Sequence, residues 1–412
     1  MKKILLSFTL IFLSFCANAQ KNNKIEIGTL DSVYSKILKE QRKILIHIPN
    51  NDQSGIFSKQ RYPVIYILDG DAHFNSIVGM IEQLSAIGGN TNFPEMIVVG
   101  IPNTDRTRDL TPTHIKSDLS MMKDSTAAKN SGGGEKFISF IEKELMPHID
   151  SLYPTEPYRM LIGHSLGGLT VMNTLIHHTN LFNAYVAIDP SMWWDNKKLL
   201  KETKNALSIT KYPNVSLFLG IANTMEKGMD ITKVKKDKSD ITKHIRSILE
   251  LDNYLSVNKQ NQLKYKSKYY NDDDHNSVTL ITEYDALRFI FDYYKLKLTV
   301  FDYMNVNKEL LSKIETHYAD LSKKFGYEVK VPEGLINTLG YQALGLKHFE
   351  EAESLFKLNV ANYPESFNVY DSLGDFYDAK KDKANAINLY KKALSIKEFP
   401  ETRKKLDNLQ VN

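Results

Sequence analysis

Short apolar runs separated by amphipathic stretches dominate the chain from about residue 24 to 300. Lys43-Ile44-Leu45-Ile46-His47-Ile48-Pro49 alternates as a half-buried strand does, whereas 64–68, 96–100, 160–162, 184–188 and 215–219 are apolar on both faces. Strands of the second kind suit a parallel sheet covered by helices on both sides. Between them, 134–152 sets Phe137, Ile138, Phe140, Ile141, Leu145 and Ile149 on one side of a helix. This alternation of strand and helix predicts an α/β domain with a mostly parallel central sheet over 20–300.

Beyond residue 300 the strand-like runs give way to a Lys/Glu/Ala/Leu-rich stretch of helical period, predicting an all-α unit over 301–412. Leu339-Gly340, Ala352 and Phe356 recur 34 residues later as Leu373-Gly374, Ala386 and Tyr390. That period and pattern match tetratricopeptide-like repeats, at about 333–366 and 367–400. Ala343 and Asn359 depart from the pattern in the first copy, and Pro400 sits two residues late. Two such units are fewer than the ~3 that stand alone. They are expected to lean on 307–324, on the α/β domain or on a second copy of the chain. Their uses would be helical support, a groove for a protein or peptide partner, or a homodimer contact.

Composition narrows the class without naming the chemistry. The 412 residues carry 53 Lys+Arg against 49 Asp+Glu, a formal charge of +4 that makes no case for nucleic acid. Met1-Lys2-Lys3, an apolar run to Phe15 and Ala17-Asn18-Ala19 form the pattern of a secretory signal peptide over 1–19. The run is too short for a membrane span, so the expected mature protein is exported, periplasmic or secreted, with no transmembrane segment. Lipid anchoring at Cys16 is the weaker alternative, because bulky Phe15 precedes it. Cys16 is the only cysteine, which excludes an intramolecular disulfide and a thiolate zinc cluster. Neither a metal nor a cofactor is expected.

Gly163-His164-Ser165-Leu166-Gly167-Gly168 follows an apolar run and precedes a helical one. A Gly-x-Ser-x-Gly turn in that context forces the serine into a sharp strand-to-helix elbow with its hydroxyl above the sheet, marking Ser165 as a nucleophile. A serine hydroxyl needs a base, and on such a sheet the acid and histidine follow in that order. His275 lies in a polar loop between a strand-like segment, 263–270, and a helical one, 280–294, where the base belongs. For the acid, Glu226 after the 215–219 strand is the first candidate, with Asp230 and Asp189 as alternatives. The oxyanion donors expected are the backbone N–H groups of Leu166 and Asp71. His73, Phe74, Arg106, Trp193 and Trp194 are expected to border an ester substrate.

Four blocks together resemble a known esterase family. They are Tyr66-Ile67-Leu68-Asp69-Gly70-Asp71-Ala72-His73-Phe74, Asn103-Thr104-Asp105-Arg106-Thr107-Arg108-Asp109-Leu110, the elbow itself and Asp189-Pro190-Ser191-Met192-Trp193-Trp194. The family includes esterase D, feruloyl esterases and enterobactin-type trilactone-siderophore esterases, the last being the nearest in look. The resemblance covers about 25–300 and implies an α/β-hydrolase fold hydrolysing carboxylic esters without metal or cofactor. It supports Ser165 and His275 as partners. Asp189 stands where such proteins more often have serine, and no glutamate directly follows Gly220, so the acid stays open. An acyltransferase with the same groups, or a non-catalytic binder acting through the helical tail, are the competing readings.

Overall fold

The computed structural model describes residues 25–49, 55–87, 90–115 and 125–411; the signal-peptide and Cys16 expectations lie outside them. Among the described residues eight strands form one sheet: β1 (Thr29–Ser35), β2 (Glu40–His47), β3 (Tyr62–Leu68), β4 (Ile97–Ile101), β5 (Thr155–His164), β6 (Ala184–Ile188), β7 (Ser216–Ala222) and β8 (Lys264–Tyr270). Their spatial order is β1-β2-β4-β3-β5-β6-β7-β8. β1/β2 and β2/β4 run antiparallel and every other pair parallel.

The apolar runs of β3, β4, β6 and β7 are buried on both faces because helices cover each side. Tyr66, Leu161, Tyr185 and Leu217 join one core layer, and Ile65, Ile67, Met160, Ala184, Val186 and Phe218 the other. α1 (Gly70–Ser85) supplies Phe74, Ile77 and Ile81 to the second layer. α2 runs from Gly134–Phe140 through a π-helical turn, Ile141–Leu145, into Met146–Leu152 and packs on the first layer. So do α3 (Leu166–His177), α4 (Trp194–Ile209) and α5 (Lys243–Val257), while α6 (Val278–Ile290) joins α1 on the other side. Among the described residues no helix is long and apolar enough to cross a membrane.

α7 (Lys308–Phe325) starts on an Asn307 cap and ends at Gly326 with φ 77°. Its stripe of Leu310, Ile314, Leu321 and Phe325 serves two cores: the first two pack with the C-terminal helices and the last two with the sheet layer holding Tyr158 and Phe291. Phe325 lies 4.8 Å from the Tyr158 ring centroid and stacks on Phe291. Then follow two helix pairs, α8 (Glu333–Gly345) with α9 (Phe349–Asn362) and α10 (Phe367–Ala379) with α11 (Lys383–Ile396), closed by α12 (Pro400–Val411). The repeated glycine admits close helix approach. A Cβ on Gly340 would come within 2.7 Å of Phe356, and one on Gly374 within 2.6 Å of Tyr390.

Candidate active site

The carboxyl ends of β3, β5, β6 and β7 meet the β8–α6 loop. At the end of β5, Ser165 adopts φ 59°, ψ −111°, a backbone state costing a non-glycine residue about 1–3 kcal/mol. Gly163 makes the turn sterically feasible, since a Cβ there would lie 2.5 Å from the backbone of Gly167. Ser165 N–H donates to Ile188 O and its own carbonyl accepts from Leu169 and Ser191, so the strained residue is tied to β6 and to α3.

Ser165 Oγ lies 3.1 Å from His275 Nε2. On the far side of that ring, Nδ1 is 2.6 Å from Asp189 Oδ2. Because a carboxylate only accepts, Nδ1 carries the proton and Nε2 faces the serine with its lone pair. The geometry allows proton removal from the hydroxyl as it attacks a carbonyl. Ser191, buried, places its Oγ 3.3 Å from Ser165 Oγ.

Asp189 follows β6 with φ 40° and is 0% exposed. Oδ1 accepts the N–H of Ala222, the last residue of β7, at 3.0 Å. Oδ2 accepts from His275 and, at 2.8 Å, from His244 Nε2. Burial by itself would raise this carboxyl, but hydrogen bonds from the two imidazoles outweigh it and hold the group well below the usual carboxylate range.

Of the three carboxylates considered for this place, the structure brings Asp189 to His275. Glu226, the first candidate, corrects to an exposed position in the loop after β7. Asp230 is exposed too and spent on the N–H groups of Thr232 and Lys233, capping a four-residue helix. Adjacent parallel strands lie about 4.8 Å apart, so an aspartate one strand earlier still reaches the loop, braced on the end of β7.

His164, the second residue of the elbow, donates from Nε2 to the backbone carbonyl of His275 at 2.7 Å. Burial first, then the neighbouring His275, pushes its imidazole down to about 4, so at neutral pH it is an uncharged clamp on that loop. Asn223 fastens the loop from the other side, N–H to Asp273 O and Nδ2 to Asn271 O.

Asp71 and Leu166 stand in the first turns of α1 and α3, where helix geometry leaves N–H groups without intrahelical acceptors. Arg106 binds Asp69 through Nε–Oδ1 (2.6 Å) and Nη2–Oδ2 (3.0 Å) and also donates to His164 O. Instead of pointing a free guanidinium at substrate, it fastens the start of α1 to the elbow. Phe74, 5% exposed, fills the core beneath Gly28 and Gly100, and Trp194, 1% exposed, packs inward with Nε1 bonded to Thr113 O. Trp193 is also buried. All three rings are consumed by packing, which removes them from the expected substrate border. His73 is half-buried, edge-on to His164 at 6.1 Å.

Two groups escaped sequence reasoning. Ser191 lay within a quoted block, 189–194, but was given no role there. His244 sits in a Lys-rich stretch, yet it shares a helix stripe with Ile248, Leu251 and Leu255, and a histidine on an apolar stripe is the signal that marks it. Asp189, His244 and His275 are also a group among the described residues with three ligand-type atoms within 4.8 Å of one another. Here those atoms are joined to each other through protons.

Residues 35–276 match the model of the family described as "Putative esterase". The chain is 30% identical over 237 residues to the ferri-bacillibactin esterase BesA of Bacillus subtilis, covering 55% of this chain and 78% of that protein. It is 27% identical over 166 residues to a siderophore enterobactin esterase of Emericella nidulans, covering 38% of this chain and 55% of the other. An IroE-like serine hydrolase from Shewanella oneidensis superposes with a TM-score of 0.67 at 30% identity, over 81% of this chain and 98% of that one.

Proposed function

Given that the chain belongs to that esterase family, and so is a serine ester hydrolase of the α/β-hydrolase fold, we propose that it works through a Ser165–His275–Asp189 triad and an acyl-enzyme. The observation that carries this is the continuous run Ser165 Oγ–His275 Nε2 (3.1 Å) and His275 Nδ1–Asp189 Oδ2 (2.6 Å) at a strained elbow. His275 takes the serine proton as Oγ attacks the ester carbonyl, and the tetrahedral oxyanion rests on the N–H groups of Leu166 and Asp71. His275 returns the proton to the leaving alcohol, then activates water to release the acid. Asp189 fixes the tautomer and stabilises the imidazolium.

The substrate in this reading is a siderophore ester, a class supported by the names of the two relatives. The leader pattern over 1–19 supports export, which N-terminal sequencing of the cell-derived protein tests by a start at Gln20. Residues 301–412 are read as a helical unit built on two tetratricopeptide-like pairs, a reading supported by the 34-residue offset of α10 and α11 from α8 and α9.

The deciding experiment compares the protein with Ser165→Ala on a catechol trilactone, a feruloyl ester and an acetylated sugar. Expected is trilactone cleavage at the highest kcat/KM, falling to background in the variant. Equal rates for the two proteins would remove the serine mechanism, and preference for another ester would move the substrate class.

A further inference from the structure

Asp189 Oδ2 accepts two imidazole N–H groups, and the reaction just derived employs only one. Resting on the reading of Asp189 as the triad acid, we infer that His244 is a positioning residue for the reaction. It acts through Asp189, locking the carboxylate that orients His275.

Three donors from three elements fix the plane of that carboxylate: Ala222 N–H at the end of β7, His244 on α5 and His275 in the β8–α6 loop. The group is fully buried, so solvent is not at hand to replace a missing donor, and an unfilled acceptor there is costly. The His244 ring stands 5.1 Å from His275, edge to face, near enough to brace the shared oxygen without reaching Ser165. A carboxylate with one donor fewer can rotate, carrying Nδ1–H of His275 with it and spoiling the alignment of Nε2.

The second N–H also moderates charge. Electron density drawn toward His244 is density withheld from the His275 imidazolium. The groups facing His275 are Asp189, His244 and the neutral His164, with Asp273 and Asp274 in its own loop; beyond His164 stand His73 and the Arg106–Asp69 pair. Among these His244 alone shares the oxygen that bonds Nδ1. Its removal leaves the other charges in place and strengthens the hold of Asp189 on a protonated His275. The acid limb of kcat/KM, which reports the neutral base, then moves to higher pH.

The test measures kcat, KM and the pH profile for His244→Phe and His244→Gln. Phe preserves ring volume without a donor, while the Gln amide brings an N–H to about the place of Nε2. Expected for Phe is a loss of about 10- to 100-fold in kcat, the scale of one hydrogen bond to a charged group, with KM little changed and the acid limb raised. Gln restores most of kcat and the wild-type limb. Wild-type kcat and an unmoved limb in Phe would overturn the inference, as would Gln failing as badly as Phe. Should Phe not fold, His244→Asn against His244→Gln makes the same comparison, only the longer amide reaching the carboxylate; equal rates overturn it. Asp189→Asn separates the layers. If that variant stays active the triad reading falls, whereas if it is dead and Phe is silent only the role of His244 falls.

Discussion

Two carboxylates beside the His275 loop are equally withdrawn from water and behave in opposite ways. Asp189, at the end of β6, is 0% exposed and Glu283, on α6 against α1, is 1% exposed. Asp189 receives three N–H donors and is held ionised. Among the described residues Glu283 meets one hydroxyl, Ser76 Oγ at 3.1 Å, which is shared with His73 O at 2.8 Å, while its Oε1 has no hydrogen-bond partner and His73 Nδ1 stays 3.9 Å away. Burial therefore wins at Glu283, pushing it up to about 8, and it is mostly protonated at neutral pH. Burial is common to both regions, so the number of N–H donors decides which carboxyl keeps its proton.

The sharpest way to break that contrast is to change the ionised member. Asp189→Asn keeps the shape, removes the charge and gives His275 a partner that no longer enforces the Nδ1–H tautomer. kcat on a p-nitrophenyl ester should fall by about 10⁴-fold, the scale for such a change in a serine triad. A loss below tenfold would mean that the three donors serve packing only.

Glu283→Gln addresses the other member. The unfolded glutamate titrates at its ordinary 4.5 and the folded one at about 8. The native state therefore holds a proton that the unfolded chain loses, and stability declines as pH rises through that window. Replacing the carboxyl with an amide removes the decline. Tm of the variant should exceed that of the parent at pH 8 by an amount equivalent to a few kcal/mol, with a much smaller gap at pH 5. Parallel Tm–pH curves would show Glu283 ionised and the contrast false.

Ser76→Ala is the mildest. Loss of the Ser76 hydroxyl, shared between Glu283 and His73 O, should cost about 1 kcal/mol at pH 5 and steepen the decline toward pH 8, read from urea unfolding at both pH values. An identical midpoint would mean that the 3.1 Å contact contributes nothing.

The central strands were legible because a strand buried on both faces must be apolar throughout, as 64–68 and 184–188 are. β1 was not, since Thr29–Ser35 is an edge strand that shows much of its length to solvent and lacks such a run. As candidates, Ser165 could be read from a local elbow motif and His275 from its order along the chain, both properties of the sequence itself. Which carboxylate meets His275 is a matter of distance between neighbouring strand ends, and sequence order cannot choose between a residue after β6 and one after β7. Arg106, Phe74 and Trp194 look like binding groups by residue type. Only the packing reveals that the first is engaged with Asp69 and the other two lie in the core.

One helix joins what the sequence pattern divides. The stripe on α7 gives Leu310 and Ile314 to the C-terminal helices and Leu321 and Phe325 to the layer beneath the sheet. A chain stopped at residue 300, where the strand pattern ends, would uncover Tyr158 and Phe291 and leave the esterase half short of part of its own interior. The seam along which the molecule can be parted runs through the middle of a helix, so the catalytic half and its helical neighbour share a common fate when either begins to unfold.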